Sequence, residues 1–455
     1  MQKNNIETSS FRDPSSYVYH ENNTIYRKIN KIYFKQYDYL ITSGLYDELV
    51  EKKLLIKHQE IERNDEYIII KPEQVPFISY PYEWCFDELK DASLLTLEIQ
   101  NIALKYNMIL KDATAYNIQF LNGKPIFIDT PSFEFYEEGS PWGAYGQFCR
   151  HFMAPLLLMA NVDENLNCLL RNYIDGIPID LADNILKNRG GMTAFQHIKI
   201  HGKSISQNNN SNELKKVNIS KTNMINIILM MKRQIEKLKR QNNNTEWDKY
   251  YDNTNYDELA EKSKFSIVEK YLKNIKFNPN DIVWDFGAND GKYSKIAEKQ
   301  GIYVISYDID YNAVNRNYKK SEEMGKKILP LLLDLTNPPS SIGFAQNERK
   351  GLNERGPVKC IMFLAIIHHV CISNNIPFNK LSKWLSTICN NLVIEFVPKN
   401  DSQVQKLLKT RKDIFKNYDE KTFEDEFSRY FKIIEKNKIT NSERILYFME
   451  LKNEE

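Results

Sequence analysis

The stretch that most constrains the fold is Ile282-Val283-Trp284-Asp285-Phe286-Gly287-Ala288-Asn289-Asp290-Gly291, followed by Lys292-Tyr293-Ser294-Lys295-Ile296-Ala297-Glu298-Lys299. An apolar run ending in an acid reads as a buried strand, the glycine-bearing segment as a tight loop, and the residues after it as the start of a helix. Such a loop is expected to bring backbone N–H groups close to a nucleotide-like ligand. Its spacing is Asp-x-Gly-x-Asn-x-Gly, which differs from the longer Gly-x-Gly-x-x-Gly of dinucleotide sites. Alone, the motif also fits an ordinary strand-to-helix turn.

Further landmarks follow in register. Tyr303-Val304-Ile305-Ser306-Tyr307 reads as a second strand ending in Asp308-Ile309-Asp310, and Ile328 to Leu333 as a third ending in Asp334-Leu335. A fourth, Cys360 to Ala365, runs into Ile366-Ile367-His368-His369, and a fifth, Asn391 to Ile394, ends in Glu395. Any one of these acids could cap a turn. At successive strand ends of a doubly wound sheet they fit a ligand crevice, where an acid after the second strand accepts hydrogen bonds from ribose hydroxyls. Residues 430–434 and 444–449 close the chain as an expected antiparallel edge pair.

These landmarks resemble the class I S-adenosylmethionine-dependent methyltransferases over residues 247–455. The resemblance implies S-adenosylmethionine as cofactor, held by Asp285, Gly287, Asn289, Gly291, Asp308, Asp310 and Asp334. Asn289 stands where many members carry glycine, Asp308 takes the ribose role with Asp310 beside it, and Asp334 meets the adenine amino group. The reacting end should lie after the fourth strand. A histidine titrating near neutrality suits proton removal from a hydroxyl or amine, so His368 and His369 are candidate general bases. Paired histidines there also recur in methyltransferases with unrelated substrates. Glu395 is the candidate to orient a histidine or bind the acceptor. Asn337-Pro338-Pro339-Ser340 lacks an aromatic and follows the wrong strand for an amino-methyltransferase motif, and Cys360 reads as a buried hydrophobe. No metal-ligand cluster stands out.

The first half reads differently. Residues 1–20 are polar and expected to fray; strands are expected over 24–32 and 67–70, and helices over 41–55 and 88–106. Leu110-Lys111-Asp112-Ala113-Thr114-Ala115-Tyr116-Asn117-Ile118-Gln119-Phe120 precedes a turn at Asn122-Gly123 and a second apolar run ending in Asp129. This predicts a hairpin bracketed by Asp112 and Asn117 before it and Asp129 after it. The spacing resembles the catalytic loop and metal-binding acid of protein and aminoglycoside kinases over residues 24–180. That resemblance implies that Asp112 positions an attacking hydroxyl while Asn117 and Asp129 hold magnesium. Leu110-Lys111 replaces the usual His-Arg or His-Gly, and neither a Gly-rich nucleotide loop nor a Val-Ala-x-Lys strand appears. A degenerate domain is therefore expected.

At 455 residues the chain has room for two or three domains. The expected architecture is α/β: an α+β kinase-like domain over 1–190, a linker with a helix over 191–246, and a doubly wound seven-stranded Rossmann-like methyltransferase domain over 247–455. Trp247, Tyr250, Tyr251 and Tyr256 read as lid or packing aromatics. The 62 Lys+Arg nearly balance 60 Asp+Glu, which gives no global signal for nucleic acid or an anionic membrane. Six scattered cysteines without Cys-x-x-Cys spacing, no membrane-length apolar run and a polar start fit a soluble cytoplasmic protein. Pro81-Tyr82-Glu83-Trp84, the Asp112–Asn117 loop, Ile128-Asp129-Thr130-Pro131-Ser132-Phe133, Pro141-Trp142 and His368-His369 together resemble the NoeA-like group of class I methyltransferases. The resulting expectation is methyl transfer to oxygen or nitrogen of a small-molecule acceptor, with the oligomeric state open. The rivals are a bifunctional protein with ATP–magnesium phosphotransfer in its first domain and a non-catalytic protein that senses S-adenosylmethionine.

Overall fold

The computed structural model describes residues 5–22, 24–187, 218–241, 245, 256–409 and 412–452. Gly190-Gly191, the polar tract from Gln207 and the aromatics Trp247, Tyr250 and Tyr251 lie outside the described residues. The chain divides into two compact units, one of residues 1–243 with 342–349 and one of 244–341 with 350–455.

The first unit opens with a five-stranded antiparallel sheet. Its strands are β1 (Asn5–Ile6), β2 (Ser16–Glu21), β3 (Thr24–Asn30), β4 (His58–Arg63) and β5 (Tyr67–Pro72), in the order β1-β2-β3-β5-β4. The frayed start expected for residues 1–20 is corrected: Ser16–Glu21 pairs with β3 along its whole length, from Ser16↔Ile29 to Glu21↔Thr24. The single helix expected over 41–55 is two, Phe34–Thr42 and Leu45–Glu51, because Gly44 turns the chain with φ +87.

Past the sheet, the buried helix Phe86–Lys105 leads into β6 (Met108–Leu110), β7 (Ile118–Leu121), β8 (Lys124–Phe127) and β9 (Phe133–Phe135). β7 and β8 form the expected hairpin, with Asn122 (φ +52) and Gly123 (φ +79) both left-handed in the turn. β6 pairs with β9, so Asp112 and Asn117 leave the end of one small ladder while Asp129 precedes its partner strand. The helix expected between the polar tracts spans Lys221–Lys237, and it is not a free linker. It packs along Phe86–Lys105, with Lys232 paired to Glu98 at 2.7 Å and Met224, Ile228, Met231 and Ile235 buried.

The second unit is built on a seven-stranded sheet of β10 (Ile282–Phe286), β11 (Tyr303–Asp308), β12 (Ile328–Leu332), β13 (Val358–Phe363), β14 (Cys389–Phe396), β15 (Phe431–Lys438) and β16 (Ile445–Leu451). The order is β12-β11-β10-β13-β14-β16-β15. The first five are parallel to their neighbours, and β16 runs antiparallel between β14 and β15. Parallel strands in such a sheet are covered on both faces, which is why β11 is buried at every residue, Ser306 and Asp308 included. β15 alternates buried or half-buried with exposed residues, as suits an edge. The strand order reverses between β10 and β13, so their carboxyl ends open the crevice in which open α/β sheets bind ligands.

Candidate functional site

The loop after β10 is held by three left-handed residues, Gly287 (φ +69), Asn289 (φ +49) and Gly291 (φ +75). Asparagine tolerates this conformation better than other residues with a Cβ, which accounts for Asn289 between two glycines. A Cβ on Gly287 would lie 2.4 Å from Ile366 Cγ2, and one on Gly291 would lie 2.5 Å from Asn317 Oδ1. The loop's own N–H groups correct one expectation, because they are already engaged. Gly287 and Ala288 donate to the Tyr307 carbonyl at 2.9 and 3.0 Å, and Gly291 donates to the Ala288 carbonyl at 3.0 Å. Asn289 N–H donates to Asp308 Oδ2 at 2.7 Å, and Asp290 N–H to Asn289 Oδ1 at 2.9 Å. The helix begins only at Ser294, after this closed turn. The loop thus permits close approach without presenting a row of free donors.

A cavity of about 350 Å³ opens over the strand ends, lined among others by Asp285, Gly287, Asn289, Asp308, Asp334 and His369. Asp308 is buried, accepts from Asn289 and Asp310 N–H, and is pushed up to about 6 by burial, against those bonds. Each oxygen accepts one N–H and keeps capacity for another donor. Asp285 accepts from Ser294 Oγ at 2.6 Å, and burial pushes it up to about 7 despite that bond and the charge of Lys264. Asp334 both lines the cavity and caps its own turn, accepting from Thr336 N and Oγ1 at 2.8 and 2.7 Å. Asp310 is the N-cap of the helix Tyr311–Glu323, accepting from Ala313 N at 3.0 Å; neither it nor Gly291 lines the cavity.

The structure separates the two histidines. His369 lines the cavity, and burial with the charge of Arg444 lowers it to about 4, so it is neutral at physiological pH. His368 is buried away from the lining, its ring 4.1 Å from that of His369, and burial drives it well below the usual range. Glu395 is not among the residues that line the cavity. It is wholly buried, paired with Lys264 Nζ at 2.6 Å and Arg444 at 3.4 Å, and it accepts from the Tyr256 hydroxyl. Arg444 also grips Asp401 through two bonds of 2.8 and 3.1 Å. Burial raises the Glu395 carboxyl, but Lys264 and Arg444 outweigh it and hold the group charged. The structure places Glu395 at the centre of an ion-pair cluster with Lys264 and Arg444. Lys264 lines the cavity and was not identified from sequence, whereas Tyr256, one of the expected lid or packing aromatics, lines it too.

In the first unit, Asp112, Asn117 and Asp129 come together. Asn117 Nδ2 donates to Ser132 Oγ at 3.3 Å, and Ser132 donates to Asp129. Burial, then the charge of Asp129, raises Asp112. Arg27 on β3 pairs with Asp129 at 2.6 Å, a cation that sequence reasoning missed in Tyr26-Arg27-Lys28. Lys111 pairs instead with Asp13 at 2.8 Å.

Among the described residues, no helix is long and apolar enough to cross a membrane. No family model matches the chain. Among solved structures, magnesium protoporphyrin IX methyltransferase from Synechocystis PCC 6803 with bound SAH is similar over 45% of this chain and 93% of its own, at 15% identity and a TM-score of 0.32. The N-methyltransferase NodS from Bradyrhizobium japonicum WM9 is similar over 43% and 99%, at 10% identity and a TM-score of 0.32. In sequence the chain is 30% identical to nodulation protein NoeA of Rhizobium meliloti (strain 1021) over 456 residues, which covers 97% of this chain and 95% of that relative. At that identity over nearly the whole of both sequences, the chain belongs to the family of nodulation protein NoeA.

Proposed function

We propose that the second unit binds S-adenosylmethionine and transfers its methyl group to an oxygen or nitrogen of a small-molecule acceptor, in the cytoplasm. The observation that carries this reading is the joint lining of one cavity by Asp285, Asp308 and Asp334, at the ends of three neighbouring parallel strands, beside a left-handed Gly287–Gly291 loop. The chemistry of the donor set fits a cationic nucleoside better than a phosphate-bearing one. The lining is rich in acids, Lys264 is its one lysine or arginine among the described residues, and the loop N–H groups are engaged. Ligand pockets of about 300–1,000 Å³ are usual for molecules of this size.

The sulfonium methyl of the bound cofactor would supply the electrophile. Asp308 would accept from the ribose hydroxyls through its open positions, Asp334 from the adenine amino group, and Asp285 from the α-ammonium. Gly287 would let the ligand pass close to the backbone, since any side chain there meets Ile366. Neutral His369 is the histidine able to accept a hydrogen bond from the acceptor, and later its proton; His368 supports its ring from behind. Holding the nucleophile at near-attack distance supplies much of the acceleration in such a displacement.

The test is mass spectrometry of cell extracts incubated with the protein and isotopically labelled methyl donor. The enzyme reading expects labelled product together with S-adenosylhomocysteine. Binding without any turnover across acceptor pools would favour a sensor instead.

For the first unit we infer a degenerate kinase-like domain that binds rather than phosphorylates. The supporting observation is Arg27, whose guanidinium occupies Asp129, the carboxylate that would otherwise hold magnesium. Calorimetry with ATP and magnesium should show no binding to the wild type; binding that disappears in Asp129→Ala would restore the phosphotransfer reading.

A further inference from the structure

Residues 342–349 belong to the first unit, and an isolated bridge from Ile342 to Arg349 closes them into a loop. The Arg349 guanidinium lies 4.1 Å over the ring of Tyr116, which sits between Asp112 and Asn117 in sequence. That ring in turn stands edge-on to His151 at 6.0 Å. Among the described residues, Arg349 Nε, the Tyr116 hydroxyl and His151 Nδ1 have no hydrogen-bond partner and are closed to bulk solvent. The first two can donate. His151 is neutral, since burial and then the charges of Arg150 and Arg349 lower it to about 3. In the tautomer where the Thr114 hydroxyl donates to Nε2 at 3.3 Å, the ring proton lies on Nδ1 and makes a third donor.

Buried donors are nearly always paired, so three orphans around one ring mark a missing acceptor. The charges agree. Arg12 is engaged by Glu348 at 2.9 and 2.6 Å, and Arg150 Nε by the Asp175 carbonyl at 3.1 Å. Arg349 donates through Nη1 to the Glu348 carbonyl at 2.8 Å and forms no ion pair among the described residues. Burial raises the Tyr116 hydroxyl; Arg349 lowers it, and Glu83 and Asp175 act on it only as charges. One unmatched positive charge beside three donors suits a planar monoanion, whereas a phosphate dianion would leave a charge uncompensated.

We propose that Arg349, Tyr116 and His151 form a binding site for a carboxylate-bearing small molecule in the first unit. None of the three lines the cofactor cavity, so the site stands independently of the methyl-donor reading. It gives the first unit a ligand that needs neither magnesium nor phosphoryl transfer.

Thermal unfolding of the full-length protein tests this with formate, the smallest carboxylate, against its uncharged isostere formamide and against chloride at equal ionic strength. Formate should raise the wild-type Tm in a saturable way, and formamide should not. Arg349→Met should raise the half-saturating formate concentration roughly tenfold or more, the scale of a charge-assisted hydrogen bond. Tyr116→Phe keeps the ring under the guanidinium and removes only the hydroxyl, so it should weaken formate roughly threefold or more and checks the site if the arginine variant does not fold. No stabilisation by formate, an equal effect of formamide, or formate binding unchanged in Tyr116→Phe would overturn the site. Inorganic phosphate binding more tightly than formate, with the same loss in the variants, would overturn the carboxylate class.

Discussion

Replacing Gly287 by alanine isolates the geometry on which the cofactor loop depends. The substitution forces a side chain into φ +69 and places its Cβ 2.4 Å from Ile366 Cγ2, 3.2 Å from Cδ1 and 3.5 Å from Cβ. The left-handed conformation costs about 1–2 kcal/mol, and overpacking adds about 1–3 kcal/mol. Urea unfolding of Gly287→Ala should therefore show a loss of about 2–5 kcal/mol at unchanged m-value. Ile366→Ala removes the two atoms in closest conflict and leaves Cβ at ordinary contact distance. In the double variant the overpacking should vanish and the backbone cost of about 1–2 kcal/mol remain, giving a favourable coupling of about 1–3 kcal/mol in the double-mutant cycle. A neutral Gly287→Ala, or strictly additive losses in the cycle, would refute the close approach of Gly287 to Ile366.

Three further outcomes follow. Asp285 and Asp308 are raised to about 7 and about 6, and the charged form is the better acceptor, so S-adenosylhomocysteine affinity should be flat above about pH 7.5 and fall steadily below pH 6; affinity that rises on acidification contradicts this. Burial, then the charges of Arg150 and Arg349, depresses His151 to about 3, so its contribution is present above the unfolded value near 6.5 and is lost as pH falls through 3. Between pH 7.5 and pH 5 the wild type should lose about 2 kcal/mol more than His151→Gln in urea unfolding, and equal losses would remove the assignment. Arg444→Met strips the buried Glu395 and Asp401 of a shared cation and should cost about 3–5 kcal/mol by the same assay; a loss below 1 kcal/mol would mean that solvent reaches the cluster.

What could be read in advance follows from the range of the interactions involved. β10 to β14 were legible because parallel strands covered on both faces are continuous apolar runs, and their terminal acids mark where each run meets the crevice. The place of Asn289 within the glycine-bearing loop was legible, and the structure adds its left-handed conformation. β2 and β4 escaped because most of their side chains are polar or face solvent, and their pairing is decided by partners rather than by pattern. The ion-pair roles of Lys264, Glu395 and Arg444, and the hydrogen bond from Tyr256 to Glu395, were not legible, since the cluster gathers residues far apart in sequence around a strand end, Tyr256 and Glu395 being 139 positions apart. Glu395 looked like the other strand-end acids, yet its neighbours turned it inward. Arg27 escaped for a like reason: nothing local in a Tyr-Arg-Lys run points to Asp129. Asp310 was read as a ribose neighbour, but the start of the next helix claims it as a cap.

The most direct test of the central claim is a calorimetric titration of S-adenosylhomocysteine into the wild type and into Asp308→Ala. Asp308 is the carboxylate that ties the Asn289 loop to the end of β11 and still has acceptor positions open to the cavity. The account predicts saturable binding near one ligand per chain by the wild type, weakened roughly tenfold or more in the variant. No binding by the wild type, or equal binding by both proteins, would contradict it.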